Sequence, residues 1–201
     1  MATTDSTTSG FLTPVAEPDH DDPLDDQLQD TIVGIIGRLE PEMVRPRWQP
    51  NPPNRPMSAT NWVAFGVVNA EPDIFAYEGH DHEMQGEDDV STTRVERDEI
   101  LYILLSFYGA QAAANDARLR AGLDLAQNRA LLRDMGIGFI EYQAPRKIPA
   151  LMKETWVPRV DATLVLRRRS VHRYNIRSLQ DATGMLDNEL YLTPIKIPPA
   201  P

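Results

Sequence analysis

The chain has 201 residues, 41% hydrophobic and 25% charged, with a formal net charge of −10 and no cysteine. That length fits one domain with tails, and the lack of cysteine excludes a disulfide framework and thiol chemistry. No apolar run reaches the ~18 residues of a membrane helix, and the start lacks the basic and apolar regions of a signal peptide, so neither is expected.

The first stretch holds most of the charge. Asp5, Glu17, Asp19, Asp21, Asp22, Asp25, Asp26 and Asp30 occur there without a Lys or Arg, which leaves the remainder close to neutral. Residues 1–23, rich in Thr, Ser, Asp and Pro, are expected as an extended acidic arm, disordered alone and ordered against a neighbouring subunit. Leu24 to Leu39 predicts an amphipathic helix. Leu28, Ile32, Ile35, Ile36 and Leu39 recur near a 3.6-residue spacing, and aspartates crowd the first turn, where the helix dipole favours them. From Met43 to Pro56, prolines at 46, 50, 52, 53 and 56 remove ladder donors and argue against any regular element.

Asn61–Ala70 and Phe75–Glu83 are β-rich runs, and Glu71-Pro72-Asp73 between them predicts a hairpin turn. Val90–Tyr108 reads as a very long strand. Val95, Leu101, Ile103, Leu105 and Phe107 share one parity and Ile100, Tyr102 and Leu104 the other, so its second half is expected to be buried on both faces. Ala110–Met135 predicts one helix with Leu119, Leu123, Ala126 and Ala130 as its stripe and Gly136 beyond its C-terminus. Ile137–Gln143 returns as a strand, which predicts a crossover to a parallel strand. Pro145–Pro158 is again broken by prolines. Val160–Ile176 is the second long strand, followed by a turn near Gly184, a short run at Glu189–Leu192 and an extended tail from Pro194. At ~3.3 Å per residue the two long strands would reach roughly 55–60 Å, against a diameter of ~40 Å for a compact body of this size. Each is therefore expected to bend, break or protrude. The fold class this predicts is α+β: a mixed β-sheet with long strands packed by two helices over residues 24–178. Extended arms are expected at 1–23 and 179–201.

The second long strand begins with Val160, Ala162, Leu164 and Leu166 on one parity, then turns basic with Arg167, Arg168, Arg169, His172, Arg173 and Arg177. Its arginines suit salt bridges between subunits, for instance to the acidic arm of a neighbour. They also suit a basic lumen meeting DNA phosphates, although Tyr174 is the one nearby aromatic and a single-strand platform needs several. A solvated edge is the third reading. Trp48 and Trp156, in proline-flanked stretches, read as anchors that hold an arm to a body. His80-Asp81-His82-Glu83 has metal-like spacing, but a catalytic centre needs a third ligand, so a polar strand end is expected and no metal is assigned. Asp98 and Glu99 point to opposite sides of a strand and read as edge charges rather than an acid/base pair. No Gly-x-Ser-x-Gly, phosphate loop, HExxH or CxxC pattern occurs, so no catalytic residue and no cofactor are assigned.

Val44-Arg45-Pro46-Arg47-Trp48-Gln49-Pro50-Asn51-Pro52-Pro53, followed by Asn61-Trp62-Val63-Ala64-Phe65-Gly66, resembles the phage neck/tail terminator proteins. The Glu99-Ile100-Leu101 strand, Gly136-Ile137-Gly138-Phe139 and Val160-Asp161-Ala162 continue the resemblance across roughly residues 28–178. It implies a structural virion protein without catalytic residues, a homo-oligomeric six-fold ring at the head–tail joint, assembled in the host cytoplasm. Its implied partners are the tail tube protein on one face and the head connector or neck adaptor on the other. A sheath terminator joins them where the tail contracts, genomic DNA passes through the lumen, and no membrane is involved. The alternatives are a head-completion or connector adaptor, a tail tube subunit, and a metal-dependent enzyme using His80 and His82.

Overall fold

A computed structural model of the chain describes residues 2–3, 10–15, 22–49, 56–57, 59–81, 90–152, 154–177, 182–188 and 191–197. In chain order the elements are β1 (Ala2–Thr3), β2 (Phe11–Leu12), α1 (Asp22–Ile36), a 3-10 turn (Pro41–Met43), β3 (Val44–Pro46), β4 (Trp62–Pro72), β5 (Tyr77–Asp81), β6 (Val90–Tyr108), α2 (Ala112–Leu123), α3 (Ala126–Asp134), β7 (Ile137–Tyr142), β8 (Arg146–Lys147), β9 (Ala150–Met152), β10 (Thr155–Val157), β11 (Arg159–Arg177), β12 (Ala182–Asn188) and β13 (Tyr191–Ile197). The fold is α+β, a seven-stranded mixed sheet with α-helices packed on it.

The sheet order is β3-β4-β6-β11-β7, with β5 also paired to β6 and β8 to β11. β3 runs parallel to β4, while β4–β6, β7–β11 and β8–β11 are antiparallel. The Gly109 N–H donates to the Pro158 carbonyl at one end of the β6–β11 seam, and Ser170 Oγ donates to the Arg97 carbonyl further along. Chain numbers therefore rise in opposite directions, and β6 and β11 are antiparallel too. β6 and β7 consequently point the same way, as the strand–helix–strand pattern predicts, with β11 inserted between them. Gly109 ends β6 at φ +97°, where a Cβ would stand 2.5 Å from Asn61 Oδ1 and 2.7 Å from the Thr60 carbonyl, so only glycine fits.

The chain divides into two compact units, Met1–Glu17 with Tyr77–Val95 and Val171–Pro201, and Pro18–Ala76 with Glu96–Ser170. Both long strands are unbroken at 19 residues and give one end to each unit. In the second unit, one face of the sheet buries Val63, Phe65, Leu101, Ile103, Leu105, Phe107, Leu164 and Leu166 against Leu28 and Ile32 of α1, Leu119 and Leu123 of α2 and Leu132 of α3. The period of two on the strands meets the 3.6 spacing on the helices. The opposite face carries a smaller cluster of Trp62 and Ala64 with Met152 and Val157.

Four expectations need correction. The single helix over 110–135 is two helices, giving three where two were expected. α2 packs so tightly on α1 that a Cβ at Gly122 would lie 2.2 Å from Ile35 Cγ2. The chain then leaves helical geometry at Leu125 (ψ 129°), and the Gly122 carbonyl accepts from both the Leu125 N–H and Asn128 Nδ2. The β4–β5 hairpin does not form. β4 runs on through Glu71 and Pro72, opposite Ile100 and Glu99, and β5 pairs with β6 instead. The proline stretch after Met43 begins with a short parallel strand, β3, fixed by Gln29 Nε2, which donates to the Pro41 and Val44 carbonyls at 2.8 Å each. Finally, the region from Ala182 is an antiparallel hairpin, β12–β13, with Gly184 opposite Ile195 and Pro194 opposite Met185, where a turn and an extended tail were expected. The other small-unit pairings are β1 parallel to β2 and the Val15 N–H donating to the Arg173 carbonyl.

Candidate functional site

The chemistry of the chain gathers on the charged halves of β6 and β11. β6 begins polar and ends apolar, whereas β11 begins apolar and ends polar. Because the two run antiparallel, the polar halves lie side by side. Arg167 reaches Asp98 at 2.5 Å and Asp73 at 3.8 Å. Arg169 reaches Asp98 at 3.1 Å and Glu96 at 3.4 Å. Arg168 takes the other parity, is 8% exposed, and donates to Glu99 at 3.1 Å. Ser170, on the same parity as Arg168, is also buried.

The electrostatics follow from this geometry. Hydrogen bonding from Arg169, then from Arg167, holds the Asp98 carboxyl below the usual carboxylate range although desolvation pushes the other way. The Arg169 guanidinium is held above its ordinary value, mainly by its hydrogen bond to Asp98. The three guanidinium groups of Arg167, Arg168 and Arg169 thus face the four carboxylates of Asp73, Glu96, Asp98 and Glu99 within their own chain. Such a set leaves little net positive field for phosphate.

A second polar group lies further along the same two strands. Arg47 donates to the buried Ser106 Oγ at 2.8 Å, and Arg159 pairs with both Asp161 carboxylate oxygens at 2.6 and 2.7 Å. The Arg159 guanidinium also lies 5.5 Å from the centre of the Tyr108 ring. Trp62 stacks on the other side of this aromatic layer, 4.2 Å from Tyr108 with the planes 6° apart.

The remaining residues singled out in the sequence fall as follows. Arg173 is exposed on β11, and Arg177 ends that strand. Trp48 lies beside Gly66 of β4 yet stays 69% exposed, and Trp156 on β10 is 68% exposed. His80 is on β5, while His82 and Glu83 lie outside the described residues. Among the described residues no cluster of three His, Asp or Glu is placed to hold a metal, and no helix is long and apolar enough to cross a membrane. Asp98 and Glu99, read as edge charges, are the counter-ions of the arginine run. Their distance from the apolar part of β6, matched to that of Arg167–Arg169 from the apolar part of β11, is the signal that could have found them.

This arrangement of paired charges and tight sheet packing suits a protein whose work is to hold a shape. No curated protein matches the chain. A family model described as phage neck terminator protein matches residues 22–189. The match runs through α1, the whole seven-stranded sheet and both later helices, well beyond half of the 201 residues. The chain therefore belongs to the phage neck terminator proteins, a family of structural proteins.

Proposed function

We propose that six copies of this protein form a ring at the head–tail joint, where it ends growth of the tail tube and connects the tail to the neck. The family match over residues 22–189 carries this reading. One ring face copies the docking surface of a tube subunit, and the other, unlike it, receives the head connector or neck adaptor, so no further tube ring adds. The genome passes through the lumen, a sheath terminator joins where the tail contracts, and assembly takes place in the host cytoplasm. The role is geometric and needs no catalytic step.

Deleting the gene is expected to give overlong or headless tails, and imaging of intact necks is expected to show the six-fold ring. Full heads that leak, with tails of normal length, would assign a head-completion adaptor instead.

In this reading the exposed part of the arginine strand, Arg173 with the outer sides of Arg167 and Arg169, faces a neighbouring copy, and Arg177 at the strand end belongs to the same contact. Trp48 and Trp156 anchor contacts between copies. Arg173→Glu is the informative change, because Arg168 is buried against Glu99 and reversing it would harm the fold itself. Ring loss in Arg173→Glu supports the subunit contact, while an intact ring with altered genome retention supports a lumen position.

A further inference from the structure

Two uncovered apolar patches lie on opposite faces of the sheet in the larger unit. The first is a groove of about 470 Å³ between α1 and α3, walled by Gly34, Ile35, Leu131 and Met135 together with Asp30 and Asp134. Leu131 is 58% exposed, and both aspartates are exposed. The second is the outer side of the β9–β10 hairpin. Trp156 pairs with Leu151 across it. Alternation turns Met152 and Val157 inward onto Trp62 and Ala64, which leaves Leu151 and Trp156 outward at 59% and 68% exposure. Beside it, β8 presents Arg146 and Lys147, both exposed, and the hairpin's own acid, Glu154, is at its turn.

We infer that the α1–α3 groove of one copy receives the β9–β10 hairpin of the next, with Trp156 as the inserted anchor. The occupant is assigned by complementarity. An apolar groove with two carboxylates matches an apolar hairpin with Lys147 beside its tryptophan and Arg146 next along β8, and a tryptophan is the side chain most often found as the energetic centre of an interface. A groove of this volume accommodates a large side chain. The two patches stand on opposite faces of one sheet, so they cannot meet within a copy. Contact between unlike patches is heterologous and repeats head to tail, closing as a ring when the rotation permits. The inference rests on the ring reading and supplies the contact that builds it.

The native chain has no cysteine, so introduced thiols report cleanly. Leu131→Cys chains mixed with Leu151→Cys chains, which keep the Trp156 anchor, are expected to give a dimer with a short bismaleimide, and the double variant a ladder ending at the ring. Reversing the groove (Asp30→Lys with Asp134→Lys) or the hairpin flank (Arg146→Glu with Lys147→Glu) is expected to weaken self-assembly at least about tenfold by analytical ultracentrifugation. An equimolar mixture of the two reversed chains should restore it, because each groove again meets a hairpin of opposite charge. Circular dichroism and melting verify that both variants fold. A ring that survives either reversal unchanged, a mixture that fails to assemble, a wild-type chain that forms no ring, or cysteine pairs that give no cross-link overturns the inference. Failure of the neck reading is read separately, as particles with normal tails after gene deletion.

Discussion

Asp98 accepts from two arginines that are themselves more than half exposed, while Glu99 meets one that is almost covered; their side-chain exposures are 18% and 15%, against 55% for Arg167, 60% for Arg169 and 10% for Arg168. The difference decides what each contributes. Exposed pairs are screened and contribute at most ~1 kcal/mol, so Asp98→Ala is expected to lower unfolding free energy by about 1 kcal/mol. Glu99→Ala leaves a guanidinium covered without that carboxylate and is expected to cost about 3 kcal/mol; urea unfolding at pH 7 ranks the two. Because the folded Asp98 carboxyl titrates below its unfolded value, its contribution is complete above the unfolded pKa of ~3.9 and disappears as pH falls through the folded one. The denaturation midpoint of the wild type should drop below about pH 4, and that of Asp98→Asn should drop less steeply. At this scale the sequence revealed which groups carry charge but not who faces whom. Arg167–Arg169 and Asp98–Glu99 are nearly seventy positions apart, and only the antiparallel register of β6 and β11 makes them neighbours.

Elements were most legible where periodicity was strong and local. β6 was placed at Val90–Tyr108 because apolar residues fill both parities of its second half, and α1 because five apolar positions recur at helical spacing. The failures lie where tertiary contact overrode local preference. Nothing near residue 122 announces that Ile35 will press against it, so α2 and α3 read as one helix. Gly122→Ala would gain up to ~1 kcal/mol of helix propensity on an open surface. Here it must displace a stiff β-branched side chain at 2.2 Å, and a net loss of about 1–3 kcal/mol is expected. In an Ile35→Ala background the sign should reverse, which a double-mutant cycle of melting free energies measures. Pro72 misled similarly: it suggested a turn, yet β4 passes through it opposite Glu99, and the Asp73 N–H still donates to the Asp98 carbonyl of β6. The small hairpin β12–β13 was missed because Pro194 suggested a tail, although a proline can stand in a two-stranded ladder where its absent N–H is not required.

For the whole molecule, fold class and family were readable, because the Arg45-Pro46-Arg47-Trp48-Gln49-Pro50 block and the strand–helix–strand order survive compression into one sequence, and the family match over 22–189 agrees with them. The proposed assembly is less readable, since a contact between copies would leave no periodic trace in a single chain. The chain's three tryptophans turn this into an optical signal. Trp62 is 8% exposed and stacked on Tyr108, while Trp48 and Trp156 are 69% and 68% exposed. In isolated subunits iodide should therefore quench two emitters and leave one protected, bluer and lost only on unfolding. In the proposed ring, the emission of Trp156 should shift to shorter wavelength and become inaccessible to iodide. Trp156→Phe should abolish that change. One buried and two exposed indoles thus let folding and assembly be followed separately in a single unlabelled sample.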